Sequence, residues 1–531
     1  MKNPGRPLIF LCLCIWGIWS CRKEFGRPQW DIDGLAPIVT TSLDFDNILA
    51  DSLLQENPDN SLTLVYNNNL YSFTADSLFE IPDTSIDTAY VWQFINPLIL
   101  NPGDILIAGA PQNTVYNING AQLRKVIIRS GYMKVEVKNE IREVCKVIYQ
   151  IPLATKNSQP FSKLITIPAA TTSGPSFFTD TFNLNGYTID LTGPSGNGYN
   201  TVSYSITAYV DSAGAQTTVN QFDSVGITNS FLDMVPQYAL GYFGQGIYAS
   251  ADTSAFTMFN RIVDGTLRVD SVNIKLNVIN EAGIDARFNI GSLTSINSRT
   301  GSSVPLSHPV IGSTVNITRA FDAAGTVIPT IYSTALYRWN SNIIPMIENL
   351  PDKIGYSVNA EVNPLGNISG SNDFIYYGMG LKVNLDMEIP LSFAADRLTL
   401  VDTVDLDISA EAENVNSATL HLYANNGFPF ETSVQLYLLD GNNAIVDSIM
   451  PAVNTIDEAP VDANNIVIQP KMTRLVIPLD ANKLAVMKST RKMMIKIKLN
   501  TANYPQYVKI YSSYKIDVQL VGDFNYHISA R

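Results

Sequence analysis

Cys21 is the residue of this chain best placed to do chemistry. It follows Ser20 and closes an apolar run from Leu8 to Trp19, with the cations Lys2 and Arg6 ahead of that run. The run covers 12 residues, too few to span a bilayer, which takes about 20. It reads as an export segment that ends at Cys21. Of the other cysteines, Cys12 and Cys14 lie inside the export segment, which leaves Cys145. Cys145 sits in Val144-Cys145-Lys146-Val147 with no histidine near it in sequence, and reads as a buried structural thiol.

The remaining chemistry-bearing residues do not fall into a catalytic pattern. His308 precedes a proline, His421 lies between two leucines, and His527 is near the C-terminus. None sits in an H-x-x-H or H-E-x-x-H arrangement, and no G-x-S-x-G elbow or phosphate loop is present. Gly241-Tyr-Phe-Gly244-Gln-Gly246 lacks a surrounding βαβ unit and reads as an aromatic-packed turn or bulge. Acidic pairs occur at Asp31-Ile-Asp33, at Asp44-Phe-Asp46 and at Asp402 with Asp405 and Asp407, and the first, before Gly34, lacks the further oxygen ligands of a calcium loop. They read as solvated turn and edge charges. The expectation is therefore no enzyme: no catalytic residue, no metal ligand, no cofactor.

The segment that ends in Ile18-Trp19-Ser20-Cys21 resembles a bacterial lipoprotein signal. That resemblance implies cleavage between Ser20 and Cys21, a diacylglycerol on the Cys21 sulfur and an acylated new amine; several acyl chains give stable anchoring where one is marginal. The Asn-, Tyr- and Thr-rich acidic style resembles cell-envelope proteins of Bacteroidota. In those lipoproteins an acidic cluster after the cysteine accompanies surface display, whereas this chain has Arg22-Lys23-Glu24. The resemblance implies outer-membrane attachment with the periplasmic face favoured over the cell surface.

Positioning these residues falls to strands. The chain is 531 residues long, beyond a single core, with only 16% charged residues and abundant β-branched and aromatic ones. Removing residues 1–20 takes away Lys2 and Arg6, so the formal charge of −13 becomes −13 − 2 = −15. Such a balance argues against nucleic acid as a partner. The expected class is all-β: serial β-sandwich units with few short helices.

Residues 1–20 read as signal and 21–40 as a tether broken by Gly26, Pro28, Gly34 and Pro37. Asn67-Asn68-Asn69 and Asn101-Pro102-Gly103-Asp104 read as turns between short apolar runs. Val269–Leu276 recurs as Val401–Ile408, at a spacing of 401 − 269 = 132, and Lys134–Glu140 matches Lys275–Glu281 at 275 − 134 = 141. These repeats set three units in series, 41–250, 251–395 and 396–531. Val278, Asn280 and Gly283 in the second and Leu422, Asn425, Gly427 and Phe428 in the third form a strand, an Asn, a Gly turn and a second strand. That order resembles LEA-2/WHy-type and lipid-binding tubular β folds, and it implies fold alone. Short helices are expected at Ala481–Lys488 capped by Asp480, at 253–260 capped by Asp252, and at 342–349.

Two stretches are basic against the acidic background: 124–146 and 471–498. In the second, Met494, Lys496 and Lys498 share one strand face and Ile495, Ile497 and Leu499 the other, which reads as a wet face or a protected edge. The functional expectation is a lipid-anchored envelope protein that binds or scaffolds. Its partners are the membrane, through the N-terminal lipid, and an envelope protein or lipid. The alternatives are a periplasmic lipid carrier and a surface glycan binder; for the latter only Trp30, Trp92 and Trp339 outlast maturation.

Overall fold

The computed structural model describes residues 29–44, 54–74, 81–93, 95–118, 120–405 and 415–529. Cys21 and residues 406–408 of the second repeat copy lie outside them. The fold is all-β: strands make up 64% and helix 3%, with two short helices among the described residues.

The chain divides into two compact units that interleave in sequence, where the sequence reading sets three in series. One unit joins the segment ending at Val65, Phe259–Ser271, and the chain from Ile389 onward; the other joins Tyr66–Met258 and Val272–Glu388. Interleaving arises because strands pair with distant segments. In the first unit a four-stranded antiparallel sheet runs in the order Gln29–Asp44, Lys515–Ser529, Val415–Asn426, Lys471–Leu479. A second sheet holds Ile262–Val269, Ser392–Asp405, Lys492–Thr501, Phe430–Leu439 and Ile445–Ser448 in order. Val415, Ala424, Leu475, Ile477 and Leu479 of the first sheet pack in one core with Leu438 of the second and with Leu484 and Met487 of helix Ala481–Ser489. Asp480 starts that helix as expected, its carboxylate accepting from the Lys483 N–H at 2.8 Å.

In the other unit an eleven-stranded sheet is built around Gln122–Asn139, flanked by Ser224–Tyr242 on one side and Thr188–Asp190 on the other. Gln122–Asn139 buries Leu123, then Val126 and Ile128, then Met133, Val135 and Val137. The change of parity marks register shifts against Ser224–Tyr242, where that partner bulges. The same unit carries the sheet Gly246–Ala255, Lys353–Val362, Ala286–Asn297, Ser302–Pro305, and the strand Asn273–Asn280 paired to Thr330–Leu336.

A buried asparagine recurs at three strand ends. Asn139, Asn280 and Asn426 each accept a hydrogen bond on Oδ1 from the N–H two residues on: Ile141 at 2.9 Å, Ala282 at 3.0 Å and Phe428 at 2.9 Å. Each Nδ2 donates to a carbonyl just past the corner and to one far along the chain. The far acceptors are Pro168 at 2.9 Å, Thr318 at 3.0 Å and Asp457 at 2.8 Å. All three side chains are 2% exposed or less. Asn139 and Asn280 stand 280 − 139 = 141 residues apart, the spacing of one repeat read from sequence. The spacing of 132 joins unlike places: Val269 ends one strand and Asn273 opens another, while Val401 lies within Ser392–Asp405. In the third corner the clamped residue is Asn426, not Asn425.

Three local expectations fail for identifiable reasons. Residues 29–40 are strand, not tether, because Gln29–Asp44 pairs along its length with Lys515–Ser529; Pro37 falls at a register shift on this edge strand. Asn67–Asn69 is not a turn. Leu62–Thr74 runs through it, with the Asn67 amide on Asp386, Asn68 Nδ2 on the Ala255 carbonyl at 3.0 Å and Asn69 Nδ2 on Asn384 at 2.8 Å. Asp252 caps no helix, since Gly246–Ala255 is a strand paired to Lys353–Val362. Leu98–Leu100 and Ile105–Ile107 flank a turn as expected, and they pair with Thr217–Val219 and Thr201–Val210. The helix expected at 342–349 forms as Ile343–Glu348, although the Asn342 side chain bonds Ser307 and Pro305 and leaves the helix end uncapped.

Candidate functional site

The histidines go to separate local roles. His308 Nδ1 accepts from the Val310 N–H at 3.1 Å within a turn, and burial holds its pKa down. His421 Nδ1 lies 3.2 Å from Arg474, and His527 Nδ1 lies 3.0 Å from Asp31. Asp31 also takes the Asn416 amide, and Asp33 takes that of Asn525, so this acidic pair is spent on a polar ladder across the sheet face. Among the described residues no group of three or more His, Cys, Asp or Glu is placed to hold a metal ion. Cys145 is 1% exposed, and burial, then Glu143, pushes its thiol up to about 12. It is a core residue in a strand end, its Sγ–H directed at the Glu143 carbonyl.

The glycine-rich segment is a pinned bulge. Gly241 (φ +158°) sits where the strand register slips against Gln122–Asn139, and a Cβ there would lie 2.3 Å from the Gln122 carbonyl oxygen. Asn363 holds the loop by donating to the Gly244 carbonyl at 3.0 Å and to Asp373 at 2.9 Å. Arg319 bridges Asp285 at 2.6 Å and Asp373 at 3.3 Å. Burial raises the Asp373 carboxyl above its ordinary value, while Asn363 and Arg319 pull it back. Two carboxylates share the Arg319 guanidinium, and the Asn363 amide ties one of them to the Gly244 carbonyl, which makes this cluster a clamp on the loop.

The basic stretch at 124–146 is mostly neutralised within its strands. Lys134 pairs with Glu136 at 2.9 Å, Lys138 with Glu140 at 2.8 Å and Lys146 with Asp211 at 2.8 Å, and Arg129 lies 4.0 Å over the Tyr377 ring. Lys496 and Lys498 stand on a central strand, paired on both sides, so their wet-face reading holds and the edge reading does not. Arg124 and Lys125 differ: neither has an ion pair with a described residue, and both line an open cleft of about 570 Å³. The cleft exists because Thr188–Asp190 is only three residues long. It pairs with Gln122–Asn139 through Asp190 opposite Lys125, then turns away at Thr192, whose N–H and hydroxyl bond Asp190 Oδ1 at 2.9 and 2.6 Å. Thr155, opposite Thr188, and Asn372 add polar groups, while Pro152, Leu153 and Leu240 supply apolar walls. Lys125 is steadied by Tyr238, whose ring centre lies 5.8 Å from its ammonium. The lining holds two cations against one carboxylate, an arrangement that can hold an anion and hydrogen-bond what carries it. Sequence shows Arg124 and Lys125 as part of a charge run; the hydroxyls and the amide come from segments up to 372 − 124 = 248 residues away and carry no local signal.

A second cavity, of about 50 Å³, is apolar and lies among Ile118, Leu123, Val126, Ile128 and Phe231. It has room for a few water-sized molecules and not for an acyl chain.

No protein-family model and no characterised sequence matches the chain. Among solved structures, a candidate secreted protein of Parabacteroides distasonis aligns over 52% of this chain and 88% of its own at 14% identity, with a TM-score of 0.25. A point mutant of the VP2 protein of infectious bursal disease virus aligns over 91% of this chain and 82% of its own at 8% identity, with a TM-score of 0.10. Scores this low carry no conclusion about function. Among the described residues, no helix is long and apolar enough to cross a membrane.

Proposed function

We propose that this protein is held on the periplasmic face of the outer membrane by acyl chains on Cys21, and acts there as a binding or scaffolding module and not as a catalyst. The open cleft beside Arg124 and Lys125 supports the binding half of the reading, because it offers two cations with no ion pair among the described residues, together with the Thr155 and Thr188 hydroxyls, on the face of a sheet. The anchoring half rests on the Leu8–Cys21 motif.

Fractionation tests the anchor. Wild type should sediment with outer membranes and partition into detergent, and Cys21→Ser should release the chain or leave its export segment uncleaved. A Cys21→Ser protein that is cleaved and still sediments overturns the anchor. Turnover of a small molecule by the purified protein, lost on substituting residues of the cleft, overturns the non-catalytic reading.

A further inference from the structure

We propose that the cleft beside Thr188–Asp190 is a binding site for a monoanionic sugar, one whose ring bears a carboxylate. The proposal rests on the binding reading above and names its ligand class. Three observations lead to it. The Arg124 guanidinium, unpaired among the described residues, offers the planar two-point donor that matches a carboxylate. Lys125 adds a second positive charge, and Asp190 returns one negative charge, so the lining is short of one negative charge and not of two. A dianion such as phosphate would be repelled by Asp190 more strongly than a singly charged carboxylate.

The rest of the lining fits what carries the carboxylate. Thr155 and Thr188 present hydroxyls that can donate to or accept from ring hydroxyls, the Thr192 hydroxyl, which donates to Asp190, can accept from them, and Leu153 and Leu240 offer apolar surface to C–H edges. A volume of about 570 Å³ lies within the usual range for small-molecule sites and exceeds what a bare ion needs. The Asp190 carboxylate has Oδ1 fixed by Thr192, so the acidic wall is oriented before any ligand arrives.

Calorimetric titration of the detergent-solubilised full chain tests this, with glucuronate, glucose, inorganic phosphate and polygalacturonate as probes. Glucuronate should bind, glucose and phosphate should bind at least about tenfold more weakly, and Arg124→Ala should weaken glucuronate about tenfold or more. Arg124→Lys keeps the charge without the fork and should fall between the two. It also serves if Arg124→Ala fails to fold, which circular dichroism reports. Polygalacturonate binding would mark a polymeric source and its failure beside glucuronate a free one; either supports the class. Equal binding of glucose and glucuronate overturns the proposal, as does phosphate binding as tightly as glucuronate, or no binding of either acid. Failure of the acids with Cys21-dependent sedimentation intact removes the ligand class and leaves the anchor standing.

Discussion

Truncating a corner asparagine should cost this protein several hydrogen bonds at once. Asn280 is the clearest case. Its side chain accepts from Ala282 N–H at 3.0 Å and donates to the carbonyls of Ile284 at 2.8 Å and Thr318 at 3.0 Å. Each bond contributes about 1 kcal/mol net, and Asn280→Ala removes all three from a site that water does not reach, so the loss should be about 3 kcal/mol. Asn280→Asp should cost more at neutral pH, because a carboxylate would face two carbonyl oxygens with no donor to give them. Such a carboxyl would have its pKa raised by the fold. The variant's deficit should therefore shrink as pH falls through that raised value and the acid regains one O–H donor. Asn139→Ala and Asn426→Ala should lose similar amounts, since their bonding patterns match. Urea titration followed by circular dichroism and fluorescence measures the shift, with exposed Asn359→Ala as the control. Losses below about 1 kcal/mol at all three corners, equal to the control, would refute the view that these amides hold the strand ends.

Three further outcomes follow from individual buried groups. Cys145 should react with a thiol reagent more than about a thousandfold more slowly in the native chain than in urea, since burial holds its thiol near 12; peptide mapping locates the label, and rapid native labelling at Cys145 refutes the burial. Asn229 is fully buried opposite Ile86 and Val135 with neither side-chain polar atom bonded to a described residue, so Asn229→Leu should raise stability by about 1–3 kcal/mol, and a lower urea midpoint would contradict this. Asp373 has its pKa raised chiefly by burial, so the stability it contributes is full below the unfolded value and falls as pH rises through the folded one; Asp373→Asn should flatten that fall, and an unchanged pH slope of the urea midpoint counts against it.

What was legible in the sequence was local. Alternation along Lys134–Glu140 and Lys275–Glu281 identifies strands because a sheet with one buried face imposes period two within a few residues. Asp480 identifies its helix because a cap bonds three residues on. What failed depends on distant partners. Gln29–Asp44 looks like a tether until Lys515–Ser529, almost the whole chain away, satisfies its backbone. The run Asn67–Asn69 has the residue type of a turn, but its amides are taken by Asp386, Ala255 and Asn384. The cleft is the same problem at the level of function. A charge run names two of its residues, and only the truncated strand Thr188–Asp190 explains why those two are left open.

The three corners also separate what the fold needs from what the cleft adds. Each corner amide clamps a carbonyl at a different sequence distance, 29, 38 and 31 residues away, so the strand exit is fixed while the connecting segment varies in length. The segments between are paired strands, Cys145–Lys156 with Gln159–Ile167, Ala286–Asn297 with Thr314–Ile317 and Phe430–Leu439 with Thr455–Ile456, so each clamp fixes where a hairpin leaves the corner and returns to it. The cationic pair lies 139 − 124 = 15 residues ahead of the first corner and takes no part in its bonding, so substitution of Arg124 is expected to empty the cleft without loosening that corner.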